Sequence, residues 1–222
     1  MMQNLTLRLR GITFGKCALA GAILLLSLLT LQSQKASAWQ VNGRELNWSV
    51  SVPDGWMGGS FYQIETSIQN TDNVQLRAIL RTLQDSAKDN EAVLIHLEDA
   101  FDAAHRHPSF STRTMTEIKV TFAKNAPGLK EMSEAFGAYL RAKYQNGRVT
   151  LTSQGPFQIP QMTAYAWSFE VRPVEGGMLH YDVVVVSVAA GEQLGFTLVA
   201  DSSRYTARAA TFRRILGSLR VR

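Results

Sequence analysis

The chain has 222 residues, with 23 Lys and Arg against 18 Asp and Glu, a net charge of +5 at neutral pH. Four of those cations (Arg8, Arg10, Lys16 and Lys35) and none of the acids lie in residues 1–38. The 184 residues that follow therefore carry a net charge of +1, which removes the basis for a nucleic-acid partner. Cys17, the single cysteine, also lies in that leader, so residues 39–222 hold no disulfide, thiolate nucleophile or cysteine metal site.

The leader runs from Arg8, Arg10 and Lys16 into the uncharged segment 18–31 (ALAGAILLLSLLTL) and closes on Ala36-Ser37-Ala38. A cationic start, an apolar core and a small-x-small site are the layout of a cleavable secretory signal. The core is shorter than the roughly 20 apolar residues that span a bilayer. We expect 1–38 to be removed, leaving 39–222 as one exported domain, periplasmic, secreted or lumenal, with no stable membrane anchor after cleavage. Its size supports a core without covalent staples.

Leu46, Trp48, Val50 and Val52 alternate, so 44–52 reads as a half-buried strand, followed by the turn Pro53-Asp54-Gly55 and Trp56. A second strand is expected at 61–68. Asp72 and Gln75 resemble a capping box, and Leu76, Ile79, Leu80 and Leu83 fall at helical spacing over 74–87. The segment 92–104 fits a short buried strand or a helix, and periodicity leaves both open. Ile118, Val120 and Phe122 mark a strand at 114–122. Leu129, Met132, Phe136, Leu140 and Lys143 mark a helix that stops at Asn146-Gly147.

Strands follow at 148–152, 163–171, 180–189 and 195–200, with Gly176-Gly177 as one turn. A closing helix is expected after a cap at Asp201, Ser202 or Ser203, its apolar face formed by Tyr205, Ala209, Phe212, Leu216 and Leu219. Strands joined by short turns make an antiparallel sheet, and helices must cover it. The fold class is α+β, an α/β/α sandwich.

That order, with the opening strand and turn NWSVSVPDGW (47–56), the helix before the meander and the close GFTLVADSSRYTARAATFRRILGSLRV (195–221), resembles the PsbP-like fold. That fold includes the lumenal extrinsic subunit of photosystem II, a yeast Ran-binding protein and bacterial DcrB-like envelope proteins. The resemblance implies a non-enzymatic domain that binds other proteins, sometimes ions, and carries over no defined site residues. In a photosynthetic host it implies a photosystem-associated role. The stretch 73–113 departs from the simplest members.

His105 and His107, with His96, Glu98, Asp99 and Asp102 nearby, are the candidate metal ligands, and an exposed polar loop explains the same residues. No G-x-S-x-G elbow or comparable signature accompanies His180, so no catalytic group and no cofactor is expected. Trp48 and Trp167 read as core, whereas Trp39 and Trp56, near turns, are candidates for exposed contact. The closing helix carries Arg204, Arg208, Arg213, Arg214, Arg220 and Arg222 with no acid after Asp201. Arg208, Arg213 and Arg214 are expected to face outward, where they are solvated or meet an acidic partner. The function expected is an exported accessory protein that binds another envelope or lumenal protein. The alternative is a carrier of a small apolar or lipid-like ligand held between sheet and helices.

Overall fold

The computed structural model of the chain describes residues 38–106, 116–189 and 191–222. The leader reading, for residues 1–37, lies outside the described residues. Two strands at the start, β1 (Ala38–Asn42) and β2 (Trp48–Pro53), pair with the two-residue β10 (Arg220–Val221) in a three-stranded sheet ordered β1-β2-β10. The larger sheet is built from β3 (Trp56–Gly59), β4 (Ala92–His96), β5 (Glu117–Lys124), β6 (Arg148–Ile159), β7 (Met162–Arg172), β8 (Leu179–Ala189) and β9 (Glu192–Asp201). Its order is β3-β4-β5-β9-β8-β7-β6, antiparallel at every step. Around it lie α1 (Phe61–Gln69), α2 (Val74–Ala87), α3 (Leu97–Arg106), α4 (Leu129–Lys143) and α5 (Tyr205–Gly217).

Strand alternation assigns the two faces of this sheet. Leu94, Ile118, Val120, Val184, Val186, Leu194, Phe196 and Leu198 point one way, toward Phe212, Ile215 and Leu216 of α5 and Trp48, Val50 and Val52 of the small sheet. Trp48 meets Phe196 edge-on at 6.0 Å, so both are core. On the opposite face Val93 and Ile95 lie under Ile64, Leu80 and Leu83 of α1 and α2. Trp167, Phe169, Tyr181, Val183 and Val185 lie under Phe136 and Leu140 of α4. The expected α/β/α sandwich is present, with the small sheet sharing one outer layer with α5.

Among these elements the sequence reading is corrected at the first helix, at two caps and at β6, which runs on to Ile159 past the 148–152 expected, and the open alternative at 92–104 is resolved. Residues 61–68 are the helix α1 rather than a strand. Phe61, Ile64 and Ile68 recur at helical spacing, and Gln63 Oε1 accepts from the Ser60 N–H at 3.1 Å at the helix start. The cap of α2 is Asn73 rather than Asp72, its Oδ1 accepting from Leu76 N–H at 3.0 Å. The segment 92–104 is both things in turn. His96 N–H donates to the Thr116 carbonyl and Leu97 N–H to the Gly55 carbonyl, which ends the sheet register and lets α3 begin. At the chain's close, Asp201 accepts from Ser203 N–H at 2.9 Å and so shapes the turn, with α5 starting only after Arg204.

Candidate functional site

The polar residues of the α5 face gather at one end of it, where the apolar core gives out. β4 delivers His96, and the first turn of α3 delivers Glu98 and Asp99, acids that suit the positive end of a helix. From across the fold α5 delivers Arg208, with Arg204 at its N-terminal edge. Asp99 has no exposed side-chain surface. Its Oδ1 accepts from Arg204 at 2.5 Å and Arg208 at 2.9 Å, and its Oδ2 accepts from Arg208 Nε at 3.1 Å and from the Thr116 hydroxyl. Arg204 also reaches Asp102, and Arg208 reaches Glu98 at 3.3 Å. His96 Nδ1 stands 3.5 Å from Asp99 Oδ1. Burial by itself would raise the Asp99 carboxyl; the nearby His96 ring, the bonds from Arg208 and Thr116 and the Arg208 charge outweigh it and hold the group well below the usual carboxylate range.

A second polar group adjoins it on β7, β8 and the start of α5. Asp182 accepts from Ser168 Oγ at 2.7 Å and from Tyr205 Oη at 2.9 Å. The Tyr205 ring stacks on His180 at 4.1 Å, and burial with the Asp182 charge pushes its hydroxyl up to about 12. His180 Nε2 lies 3.2 Å from Ser202 Oγ. Asp182 thus holds two hydroxyls and not the imidazole, the place a hydrolytic triad gives its acid.

The residues singled out in the sequence separate accordingly. Trp56 is 4 % exposed and packs edge-on against His96 at 5.5 Å, which corrects its reading as an exposed contact. The Pro53-Asp54-Gly55 turn carries the chain from the small sheet to the large one and plants Trp56 between them. Arg208, 15 % exposed, points into the Asp99 cluster rather than outward, a second correction. Arg213 and Arg214 are exposed and form no ion pair among the described residues. His105 falls in the last turn of α3 with its side chain outside the described set, and His107 lies outside the described residues. His96, Glu98 and Asp99 keep ligand atoms within 4.8 Å of one another, close enough to share a cation. The guanidiniums of Arg204 and Arg208 already bring that positive charge to Asp99.

The sequence reading missed the joining of Asp99 to Arg204 and Arg208. Its local signal was available: Glu98, Asp99 and Asp102 at spacings of one and three, and Arg204 and Arg208 at a spacing of four. What joins them is strand order, since Asp99 and Arg204 are 105 residues apart.

Neither a protein-family model nor a curated protein sequence matches the chain. Among solved structures it is similar to the cyanobacterial PsbP (CyanoP) of Synechocystis, with a TM-score of 0.51 and 11% identity, covering 86% of this chain and 95% of that one. It is also similar to the Ran-binding protein Mog1p of Saccharomyces cerevisiae, with a TM-score of 0.50 and 9% identity, covering 84% of this chain and 96% of that one. The chain has the PsbP-like fold.

Proposed function

We propose that this PsbP-like chain is an exported, non-catalytic accessory protein that works by binding another protein of the envelope or lumen. The observation that carries the reading is how α5 divides its charge. Arg204 and Arg208 are spent inward on Asp99, while Arg213 and Arg214 stand exposed on the outer side with no acid paired to them among the described residues. An unpaired cationic surface on a helix whose opposite face is core suits an acidic partner, recognised with a strong salt dependence. The leader at 1–38 supports an extracytoplasmic address, and no helix of the described residues is long and apolar enough to cross a membrane. That a Ran-binding protein and a cyanobacterial PsbP share the fold supports a protein-binding role. The engaged carboxylates of Asp99 and Asp182 support the absence of catalysis.

The test is capture from an envelope extract of the native host, comparing the natural chain with the doubly reversed Arg213→Glu, Arg214→Glu protein. Loss of capture by a protein that still melts cooperatively supports the reading. Unchanged capture places the contact elsewhere.

One groove favours the carrier reading as a second possibility. Leu129, Ser133, Leu151, Tyr165 and Trp167 line a space of about 490 Å³ between α4 and the outer strands β6 and β7, within the range of small-molecule sites. A fluorescent fatty acid that binds there, and is displaced when Leu151→Lys is introduced, would move the function to a carrier.

A further inference from the structure

At the free edge of the large sheet α4 packs over β7 and β8, and β6 runs beyond its cover. The space of about 490 Å³ left there has the first two turns of α4 as one wall and β6 and β7 as its floor. Leu129 and Ser133 come from the helix, Tyr165 and Trp167 from β7, and Leu151 and Gln154, both exposed, from β6. Gln154 stands directly opposite Trp167 in the strand register.

The polar groups of this groove are unpartnered and reachable. Thr66, Ser67, Thr82 and Thr211 each turn the hydroxyl back on the carbonyl four residues earlier, the usual place for a hydroxyl within a helix. Ser133 is 9 % exposed and its hydroxyl makes no hydrogen bond among the described residues. Trp167 is 2 % exposed and its indole N–H makes none either, although a buried indole N–H ordinarily finds an acceptor. Neither atom is sealed in. The described side-chain atoms both covered and unpartnered are Trp48 Nε1, His96 Nδ1, Glu117 Oε1 and Gln193 Oε1, so Ser133 Oγ and Trp167 Nε1 keep surface where their residues line the groove. The Tyr165 hydroxyl and the Gln154 amide add two more groups without a partner among the described residues.

Charge narrows the ligand. The charged residues lining the groove are Lys130 and Glu134, exposed at its rim, with ammonium and carboxylate 3.9 Å apart. They cancel, so the groove offers no free cation to a carboxylate or a phosphate. A fatty-acid tail would moreover leave the indole N–H and the serine hydroxyl unpaired once water is displaced, which costs free energy. An uncharged molecule with an apolar face and hydroxyls around its edge meets both demands. Leu129, Leu151 and the Tyr165–Trp167 pair, whose rings lie 5.3 Å apart, supply the apolar surface.

We propose that this groove binds an uncharged carbohydrate, a pyranose ring resting its C–H face on Tyr165 and Leu151 while its hydroxyls meet the Trp167 N–H, the Ser133 hydroxyl and the Gln154 amide. The site rests on the second reading above, a small-molecule carrier, and gives it a saccharide in place of a lipid-like ligand. It lies on the opposite side of the sheet from Arg213 and Arg214.

The test is a titration of isotope-labelled protein with cellobiose, maltose and N,N′-diacetylchitobiose, followed by NMR at the assigned indole N–H signals. The Trp167 signal should move with at least one of the three at millimolar concentration, while the Trp48 signal stays in place. Affinity for that sugar should fall about three- to tenfold with Ser133→Ala and with Gln154→Ala, each removing one neutral hydrogen bond. Both variants should fold, since alanine suits a helix and Gln154 is exposed. A Trp167 signal that stays fixed up to about 20 mM of every sugar, or affinity unchanged in both variants, overturns the site. A fluorescent fatty acid that binds where all three sugars fail would remove the saccharide and keep the carrier. Failure of the fatty acid and the sugars alike would remove both, and would leave partner capture through Arg213 and Arg214 untouched.

Discussion

Asp99 and Glu117 are both buried carboxylates, and their neighbours give them opposite effects on stability. Asp99 is held ionised by donors on every side, so its contribution is complete above the unfolded carboxylate value of about 3.9 and is lost as pH falls below it. Asp99→Ala should cost about 2–5 kcal/mol in urea unfolding at neutral pH, because it removes the buried carboxylate that two guanidiniums share and leaves them only the more exposed Asp102 and Glu98. The gap to the natural chain should narrow in acid. A gap that stays constant down to about pH 2 would show that the arginines, and not the carboxylate, set the cost. At Glu117 burial dominates and raises the carboxyl, with Lys119 opposing in part. A raised carboxyl weakens the fold at neutral pH, and the penalty is relieved as pH falls through its folded value toward the unfolded one of about 4.3. Glu117→Gln should therefore raise the melting temperature at pH 7 and lose that advantage near pH 4. A lower melting temperature at pH 7 would contradict this sign. Chelator treatment should leave the melting temperature unchanged, since the acids of the α3 turn are taken by arginine; a drop of several degrees with EDTA would revive the 96–107 cluster as a metal site.

At the scale of elements, α5 closes the fold with one face and offers the other. Phe212, 1 % exposed, should cost about 3–5 kcal/mol when cut to Ala. Arg213 and Arg214, exposed, should each cost within about 0.5 kcal/mol when replaced, read by the same denaturant melts. Elements with several periods of pattern were legible from sequence: α2, α4, α5 and the meander β7 to β9 stand where alternation or helical spacing put them. Short elements were not. Nine residues of α1 hold only about two and a half turns, and its aromatic and β-branched residues mimic a strand until the Ser60–Gln63 contact is seen. The segment from 92 changes period at His96, so neither single template fits it. Trp56 shows a different limit, because a turn between two hairpin strands exposes its neighbours whereas a turn between two sheets buries them.

At the scale of the molecule, the order of elements carried the fold, because an antiparallel sheet with short turns must bury its faces under whatever helices the chain supplies. The candidate site was legible only in part. Arg213 and Arg214 read correctly as outward-facing, whereas the inward turn of Arg204 and Arg208 depends on strand order that brings α3 beside α5. Export belongs to this scale as well: protein from the native host should begin near Trp39, and an N-terminal sequence that still contains the 18–31 run would mean a retained anchor. The central claim, that this chain works by binding a protein through the outer side of its closing helix, is tested most directly by capture from the host's envelope extract with the natural and Arg213→Glu, Arg214→Glu proteins side by side. The account predicts a discrete partner retained by the natural chain, released as salt rises toward about 0.5 M, and lost with the reversed protein although its melting temperature is unchanged. Equal capture by both proteins, or none by either, would contradict it.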